Sequence, residues 1–480
     1  MAKDKKYDVI IIGAGIIGCS VARKLSFYNL KVGVVEKNSY VCGGQSKANG
    51  GVIHGGHNAR EGTLKAKFNV MGNRMFSSLC KDLGVSFKRT GLLVIAIESH
   101  ELEMLEKLKE RGKANGVRGV SIIGKHELKK MEPNANPSAI CALHVPTAGI
   151  VDVHRLVIAL AEHAAVNGVD FIFENVVQSL VLDGKKVVGL RTDKGQYQCS
   201  MVINCAGIES AGIAKMAGIS RFKIIPRKGE YYILDKKYRG FVRRPCFPVP
   251  TPHGKGVAVF PTVGGNIIFG GNSVEIKDKY NTSTTRQGYR EVLGRAGRII
   301  PDIGEKEIIT AFSGIRSSVS GHDFIIDTGS MNGLINLIGI DSPGLSSAPA
   351  ITEHVFAKVD KLFGLARQPE KKAKYSLKPL FRELGSKEKK KWLAREERFG
   401  RIVCRCEKIT EGDIVNAINA PIAATTLDAI KFRTRATSGR CQGGFGLARI
   451  MGILNGESGL GYADIRKNMP GSNIVIGKAR

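Results

Sequence analysis

Three cysteines near the C-terminus, Cys404 and Cys406 in "RIVCRCEKIT" and Cys441 in "GRCQGGFGLARI", have the density of a metal site. An iron–sulfur cluster held by cysteine alone needs four thiolates, one more than they supply. Zinc would accept three thiolates with a water as the fourth ligand. No histidine stands nearby, and Glu407 is a hard oxygen donor in a soft thiolate setting. At the other end, "KKYDVIIIGAGIIGCSVARKLSFYNLKVGVVEK" holds Gly13, Gly15 and Gly18 in the spacing G-x-G-x-x-G, with Glu36 further on. Such glycines permit a tight turn, close approach of backbone to a pyrophosphate, and close helix–strand packing. An acidic side chain about 20 residues on accepts from ribose hydroxyls.

The elements that must position this motif surround it. Tyr7 to Ile12 is an unbroken β-branched run, the pattern of a parallel strand covered on both faces. Val21, Leu25 and Tyr28 fall at helical spacing, and "KVGVVE" makes a second strand, so the unit is βαβ with phosphates at the helix N-terminus. These residues alone leave NAD and FAD both open, and no second nucleotide fingerprint accompanies the first. Residues 187–207 read as two strands joined by a "DKG" turn and ending at Ala206-Gly207. Residues 221–276 are strand-rich, and Leu102, Leu105 and Leu108 give residues 100–114 the apolar stripe of a surface helix.

A chain of 480 residues accommodates two or three domains, and 43% hydrophobic residues with 58 glycines suit an α/β protein rich in tight turns. The most apolar N-terminal run is broken by glycines and falls short of the roughly 20 residues of a spanning helix. Six residues precede it, which leaves no room for a leader, so a cytoplasmic location is expected. Ten scattered cysteines make no disulfide framework. Cys19, Cys80, Cys141, Cys199, Cys205 and Cys246 read as buried small hydrophobes. The formal charge is +30, of which residues 370–401 contribute twelve basic and five acidic side chains. Such a field favours anionic substrates or peripheral contact with an anionic membrane surface. No helix-turn-helix, zinc-finger or RNA-binding signature accompanies it, so nucleic acid is not the expected partner.

From residue 7 to about 365 the chain resembles the FAD-dependent oxidoreductases of the D-amino-acid oxidase type. Within them it is most similar to bacterial glycerol-3-phosphate dehydrogenases and their relatives, the L-2-hydroxyglutarate dehydrogenases. The resemblance rests on ordered blocks: "GQSKANGGVIHGGHNAREGTLKAKFNVMGN", "TAGIVDVHRL", "VINCAGIES", "RKGEYYIL", "FPVPTPHGKGVAVFPTVGGNIIFGG", "FSGIRS" and "GIDSPGLSSAPAI". It implies a Rossmann-type α/β FAD-binding domain that is discontinuous, over residues 1–90, 150–220 and 310–365. A sheet-based substrate domain, 91–149 and 221–309, is inserted in it. A basic linker over 366–400 then leads to a small helical module of 2Fe–2S type over 401–480, similar to bacterioferritin-associated ferredoxin. In that family the second half runs C-Q-G-G-F-C; here the last position is Gly446, which has no side chain to ligate metal. The expectation is a module that has lost its cluster.

The resemblance also implies the chemistry: oxidation of glycerol 3-phosphate to dihydroxyacetone phosphate by hydride transfer from C2 to flavin N5. His54 in "VIHGGH" is the first candidate for the base that takes the hydroxyl proton, with His57 second, since an imidazole titrates near neutral pH. Arg316 in "FSGIRS" is the candidate anion clamp, because a guanidinium gives phosphate or carboxylate two parallel hydrogen bonds. Lys255, Arg227 and Tyr231 are further substrate-binding candidates. For FAD the candidates are Gly13, Gly15, Gly18, Glu36, Lys37, Ser46, Lys47, Asn49, Val177, Ala206, Gly207, Gly344, Leu345 and Ser346. L-2-hydroxyglutarate would suit the same arginine. A flavin-bearing electron-transfer subunit of a larger complex is the alternative of another class. Without a cluster, electrons would pass to oxygen, a quinone or a partner such as an NADH-oxidising flavoprotein.

Overall fold

The computed structural model describes residues 5–251, 254, 256–366 and 374–477. Lys5–Ile12 forms the centre of an eight-stranded sheet, parallel to Val32–Val35 on one side and to Gly195–Asn204 on the other. Asp170–Ile172 extends the parallel set beyond Val32–Val35, and Leu334–Ile338 pairs in parallel with Gly195–Asn204. Val177–Asp183 and Lys186–Thr192 add an antiparallel hairpin. Successive side chains of a strand face opposite ways. Val9 and Ile11 accordingly join one apolar cluster with the helices Ile16–Leu25, Val153–Val166 and Gly344–Phe363, while Ile10 and Ile12 join another with Ile213 and Ala214. Burial on both faces is the reason the strand shows no polar alternation. The helix after the glycine turn stops at Leu25; Tyr28, expected on its stripe, lies past the Ser26 cap and stacks on Phe356.

The second sheet has nine strands drawn from residues 92–145 and 224–319. Strand Ile224–Leu234 pairs along its whole length with Ile308–Val319, the longest strand of the sheet, and on its other edge with Ile267–Gly270 and Val274–Glu275. The return to the cofactor domain expected at 310 therefore falls inside a strand of the second sheet, and the chain rejoins the first sheet at Ile325–Asp327. Helix Leu102–Ala114 buries Leu105 and Leu108, as its stripe requires, and leaves Leu102 open.

The C-terminal unit contains a short pair, Ile402–Cys404 with Ile409–Thr410, and the helices Glu411–Ile418, Leu427–Thr434 and Leu447–Ser458. Thr410 and Asp413 cap the first of these helices reciprocally. Buried Val403, Ile414 and Ile430 belong to the same apolar cluster as Val9, so this unit is fused to the cofactor domain through a common core. The segment before it differs from the expected linker: Leu377 and Leu380 are buried in that core, and Arg155 Nη1 donates to Glu383 at 2.8 Å. Among the described residues no helix is long and apolar enough to cross a membrane.

Candidate active site

The glycine turn folds because two positions leave no room for a Cβ atom. At Gly13, φ is +101°, and a Cβ would stand 2.7 Å from the Cys205 carbonyl oxygen; on Gly18 it would stand 1.9 Å from the Gly13 oxygen. Buried Glu36 closes the turn from the end of Val32–Val35. Its Oε2 accepts from Ala14 N at 2.7 Å and its Oε1 from Asn38 N at 2.9 Å. Ala206 abuts Gly13, bringing the end of Gly195–Asn204 to the same place. Ser46 Oγ accepts from Ile16 N at 3.0 Å, at the N-terminus of Ile16–Leu25. Ser46 also lines the large cavity described next, so the nucleotide end and that cavity are contiguous. This line of acid, glycine turn, helix N-terminus and cavity fits FAD, which Glu36 would meet at a ribose, the turn at the pyrophosphate, and Gly344, Leu345 and Ser346 at the ring system. Lys37 instead pairs with Glu209 at 3.4 Å. Neither Lys47 nor Val177 lines the cavity, and Val177 packs at the edge of an apolar cluster.

The cavity, about 330 Å³, is lined from both sheets. Asn49, His54 and the Gly344–Ser346 turn face it from the cofactor domain, and Arg227, Tyr231 and Arg316 from the second sheet. His54 is held by its backbone: its N–H donates to Ser346 Oγ at 2.8 Å, and its carbonyl accepts from Asn73 Nδ2 at 3.0 Å. Adjacent strands place Arg316 opposite Arg227. Arg316 Nη1 donates to the Asn272 carbonyl at 2.9 Å, and Nη2 to Tyr231 Oη at 3.2 Å and the Gly271 carbonyl at 3.3 Å. Arg227 Nε is buried without a hydrogen-bond partner. Two guanidinium groups, one with an unmet donor, make the second-sheet wall a receptor for an anion.

His57 is not in this cavity; it is buried in the wall of a neighbouring one of about 420 Å³ with Arg60 and Lys65. Lys255 lies outside the described residues. The structure adds polar groups to the cavity that motif reading missed. Lys65 Nζ meets Asp341 Oδ1 at 2.5 Å, Ser318 Oγ donates to Asp341 Oδ2 at 2.7 Å, and Gln45 Oε1 accepts from Ser317 N at 2.8 Å. Lys65 opens a helix inside a block that the resemblance had singled out, but nothing local announces a partner 276 positions away.

The cysteine site does not fit a cluster. Cys404 is buried, with the backbone N–H groups of Thr437 and Glu407 aimed at its sulfur, and burial pushes its thiol up. Cys406 and Cys441 are exposed. Backbone N–H groups of Phe445 and Gly443, with the Cys406 thiol, hold Cys441 below the usual thiol range. The fourth corner is the backbone of Gly446, where a Cβ would stand 3.0 Å from the Val403 oxygen. Glu407 is no substitute ligand: its buried Oε2 accepts from Lys236 at 2.6 Å, Arg382 at 2.8 Å and Arg435 at 3.3 Å. Burial pushes that carboxyl up, but Arg435, Lys236 and Arg382 together hold it below its ordinary value. Among the described residues no three His, Cys, Asp or Glu side chains are placed to hold a metal ion.

Comparison with known proteins separates the C-terminal unit from the rest of the chain. Residues 8–357 match the family model for FAD dependent oxidoreductases, and residues 402–455 match the BFD-like [2Fe-2S] binding domain. A glycerol 3-phosphate dehydrogenase of Caloramator mitchellensis is 42% identical over 99% of both chains. The mitochondrial L-2-hydroxyglutarate dehydrogenase of Bos taurus is 32% identical over 60% of this chain and 64% of its own. Among solved structures, dithionite-reduced L-alpha-glycerophosphate oxidase from Mycoplasma pneumoniae with FAD bound superposes with a TM-score of 0.74. It shares 29% identity and covers 78% of this chain and 100% of its own.

Proposed function

The chain belongs to the FAD-dependent oxidoreductases, and from that premise we propose that it oxidises glycerol 3-phosphate to dihydroxyacetone phosphate. The observation that carries the reading is the wall formed by Arg316, Arg227 and Tyr231 facing His54 across one cavity. It is supported by the 42% identity to the Caloramator enzyme over nearly the whole of both chains. FAD, when bound, supplies the two-electron acceptor that takes hydride from the substrate carbon. The chain's own residues do the rest. Arg316 presents its guanidinium to the phosphate, braced by the Gly271 and Asn272 carbonyls so that little side-chain freedom is lost on binding. Tyr231, hydrogen-bonded to Arg316, fixes the edge of that clamp. The His54 imidazole accepts the hydroxyl proton, with its backbone pinned between Ser346 and Asn73. Reoxidation falls to oxygen, a quinone or a partner protein, since the C-terminal unit offers no fourth sulfur for a cluster.

L-2-hydroxyglutarate would present a carboxylate to the same clamp, but the Bos taurus dehydrogenase named for it aligns over 60% of this chain against 99% for the Caloramator enzyme. Mixing the oxidised holoenzyme with each compound without oxygen separates the two. Glycerol 3-phosphate is expected to bleach the flavin absorbance within the mixing time and L-2-hydroxyglutarate to leave it unchanged. The opposite pattern overturns the assignment. Bleaching by neither would favour an electron-transfer subunit.

A further inference from the structure

The parallel strands Val32–Val35 and Gly195–Asn204 lie on either side of Lys5–Ile12, and all three end at the same edge of the sheet. In such sheets a ligand binds in the crevice outside those carboxyl ends. Two charged side chains meet across it. Lys37 directly follows Glu36 at the end of one flanking strand. Glu209 stands one turn beyond the other, its N–H donating to the Ala206 carbonyl at 3.1 Å beside Gly13. Their 3.4 Å ion pair therefore spans the end of the central strand, where the glycine turn faces the pyrophosphate site.

The substrate domain reaches the same carboxylate. Residues 276–285 connect Val274–Glu275 to helix Arg286–Ile299, and both ends of this loop are fastened to the second sheet. Ile276 N donates to the Pro226 carbonyl at 3.1 Å, Lys228 Nζ to the Ser283 carbonyl at 2.9 Å, and Ser313 Oγ to the Thr282 carbonyl at 2.7 Å. The tip turns at Asp278, whose Oδ1 accepts from Tyr280 N at 2.9 Å, and meets Glu209. Lys279 Nζ donates to Glu209 Oε2 at 2.5 Å and Tyr280 Oη to Oε1 at 2.6 Å. The Tyr280 ring is 61% exposed and flanked by Lys37 and Lys279 at 5.4 and 5.2 Å. Burial does little to hold that ring; its hydroxyl and the two ammonium groups do.

We propose that Glu209 latches the 276–285 loop of the substrate domain across the nucleotide crevice, and that this strap sets how slowly FAD leaves the enzyme. None of Lys37, Glu209, Lys279 and Tyr280 lines the substrate cavity, so their part is to retain the cofactor, whichever alcohol is oxidised. With the strap in place, the adenosine end leaves only after the contacts to Glu209 have opened.

The test uses the full-length, FAD-loaded protein, diluted into flavin-free buffer so that the rise of free-flavin fluorescence gives the release rate. Glu209→Gln keeps the shape of the side chain and loses its charge. Release should quicken roughly tenfold, as expected when several partly exposed charge contacts open together. Lys279→Met with Tyr280→Phe removes the loop's side of the latch and should quicken release to a similar degree. All three substitutions together should be no faster, because the same interaction is already broken. Raising salt to about 1 M, which screens charges beyond roughly 3 Å, should speed release from the wild type and leave Glu209→Gln nearly unchanged. A wild-type release rate in Glu209→Gln, additive effects in the triple variant, or an equal salt response in both proteins would each overturn the proposal. So would faster release that only tracks a lowered urea midpoint of the flavin-free variant.

Discussion

At the scale of single residues, the anion clamp gives the sharpest expectation. Arg316 reaches two carbonyls and a tyrosine hydroxyl while still facing the cavity, a geometry that a lysine ammonium cannot reproduce. Losing a charge-assisted bond of about 1.5–3 kcal/mol predicts that Arg316→Lys lowers kcat/KM for glycerol 3-phosphate by roughly 10–100-fold. The loss should fall mainly on KM, as steady-state kinetics at fixed acceptor would reveal; an unchanged KM would remove Arg316 from the substrate. A second expectation concerns Glu132, whose carboxylate is fully buried and accepts from Arg243 N at 3.0 Å. Burial raises it from an ordinary 4.5 to about 7, against the pull of that N–H and of Arg244. Below the unfolded value both states hold the proton and no stability is lost. As pH rises toward 7 the unfolded chain ionises first, so stability falls through that window by about 3 kcal/mol, at roughly 1.4 kcal/mol per pH unit. Glu132→Gln cannot ionise and should gain on the wild type between pH 5 and pH 8 in chemical denaturation; parallel pH dependences would refute this.

At the scale of elements, the site is set by where strands and turns leave space. Gly229, in Ile224–Leu234, is such a place: a Cβ there would stand 2.5 Å from Arg316 Nη2 and 2.9 Å from the Asn272 oxygen. Gly229→Ala should displace the guanidinium, raising KM for glycerol 3-phosphate about tenfold or more for each 1.4 kcal/mol of clamp lost, while flavin content stays at the wild-type level. Loss of flavin instead would mean that the strand, not the clamp, had failed. The glycine turn, its flanking strands and Glu36 were legible in the sequence because they lie within a single βαβ unit, whereas the packing of Gly13 on Cys205 was not. His54, Arg316 and the Gly344–Ser346 turn were reached through family resemblance, since no periodicity joins residues so far apart in the chain. Lys65 with Asp341, and the need for Gly229 beside Arg316, were legible by neither route. They exist only once stretches far apart in the chain have folded against each other. The return to the cofactor domain was placed too early for a related reason: Ile308–Val319 carries Arg316, whose motif points to the cofactor side, yet its backbone pairs throughout with Ile224–Leu234.

At the scale of the whole molecule, two buried carboxylates tie the C-terminal unit to the rest. Glu407 draws Lys236 from the substrate domain, Arg382 from the connecting segment and Arg435 from its own unit onto one oxygen. Glu162, on helix Val153–Val166, receives Arg433 from the C-terminal unit through both terminal nitrogens and Tyr375 Oη at 2.5 Å from the connecting segment. The connecting chain is therefore held at both ends of its path, which a basic linker read from composition would not require. Removing one partner of a buried pair leaves the other charge unsolvated and typically costs about 3–5 kcal/mol. In Glu162→Ala the stranded group is Arg433, and the cheapest relief is for the C-terminal unit to lift from the cofactor domain, loosening the backbone around the lysines and arginines of 374–400, most of them already exposed. Limited trypsin digestion of the FAD-loaded variant should then cut first in that segment, at least ten times faster than in the wild type, while the flavin stays bound. Wild-type cleavage rates would show that the shared apolar core alone holds the unit in place. Early release of flavin would show that docking and cofactor retention are one cooperative event, because the core cluster that includes Val403 and Ile430 also includes Val9 and Ile11 beneath the glycine turn.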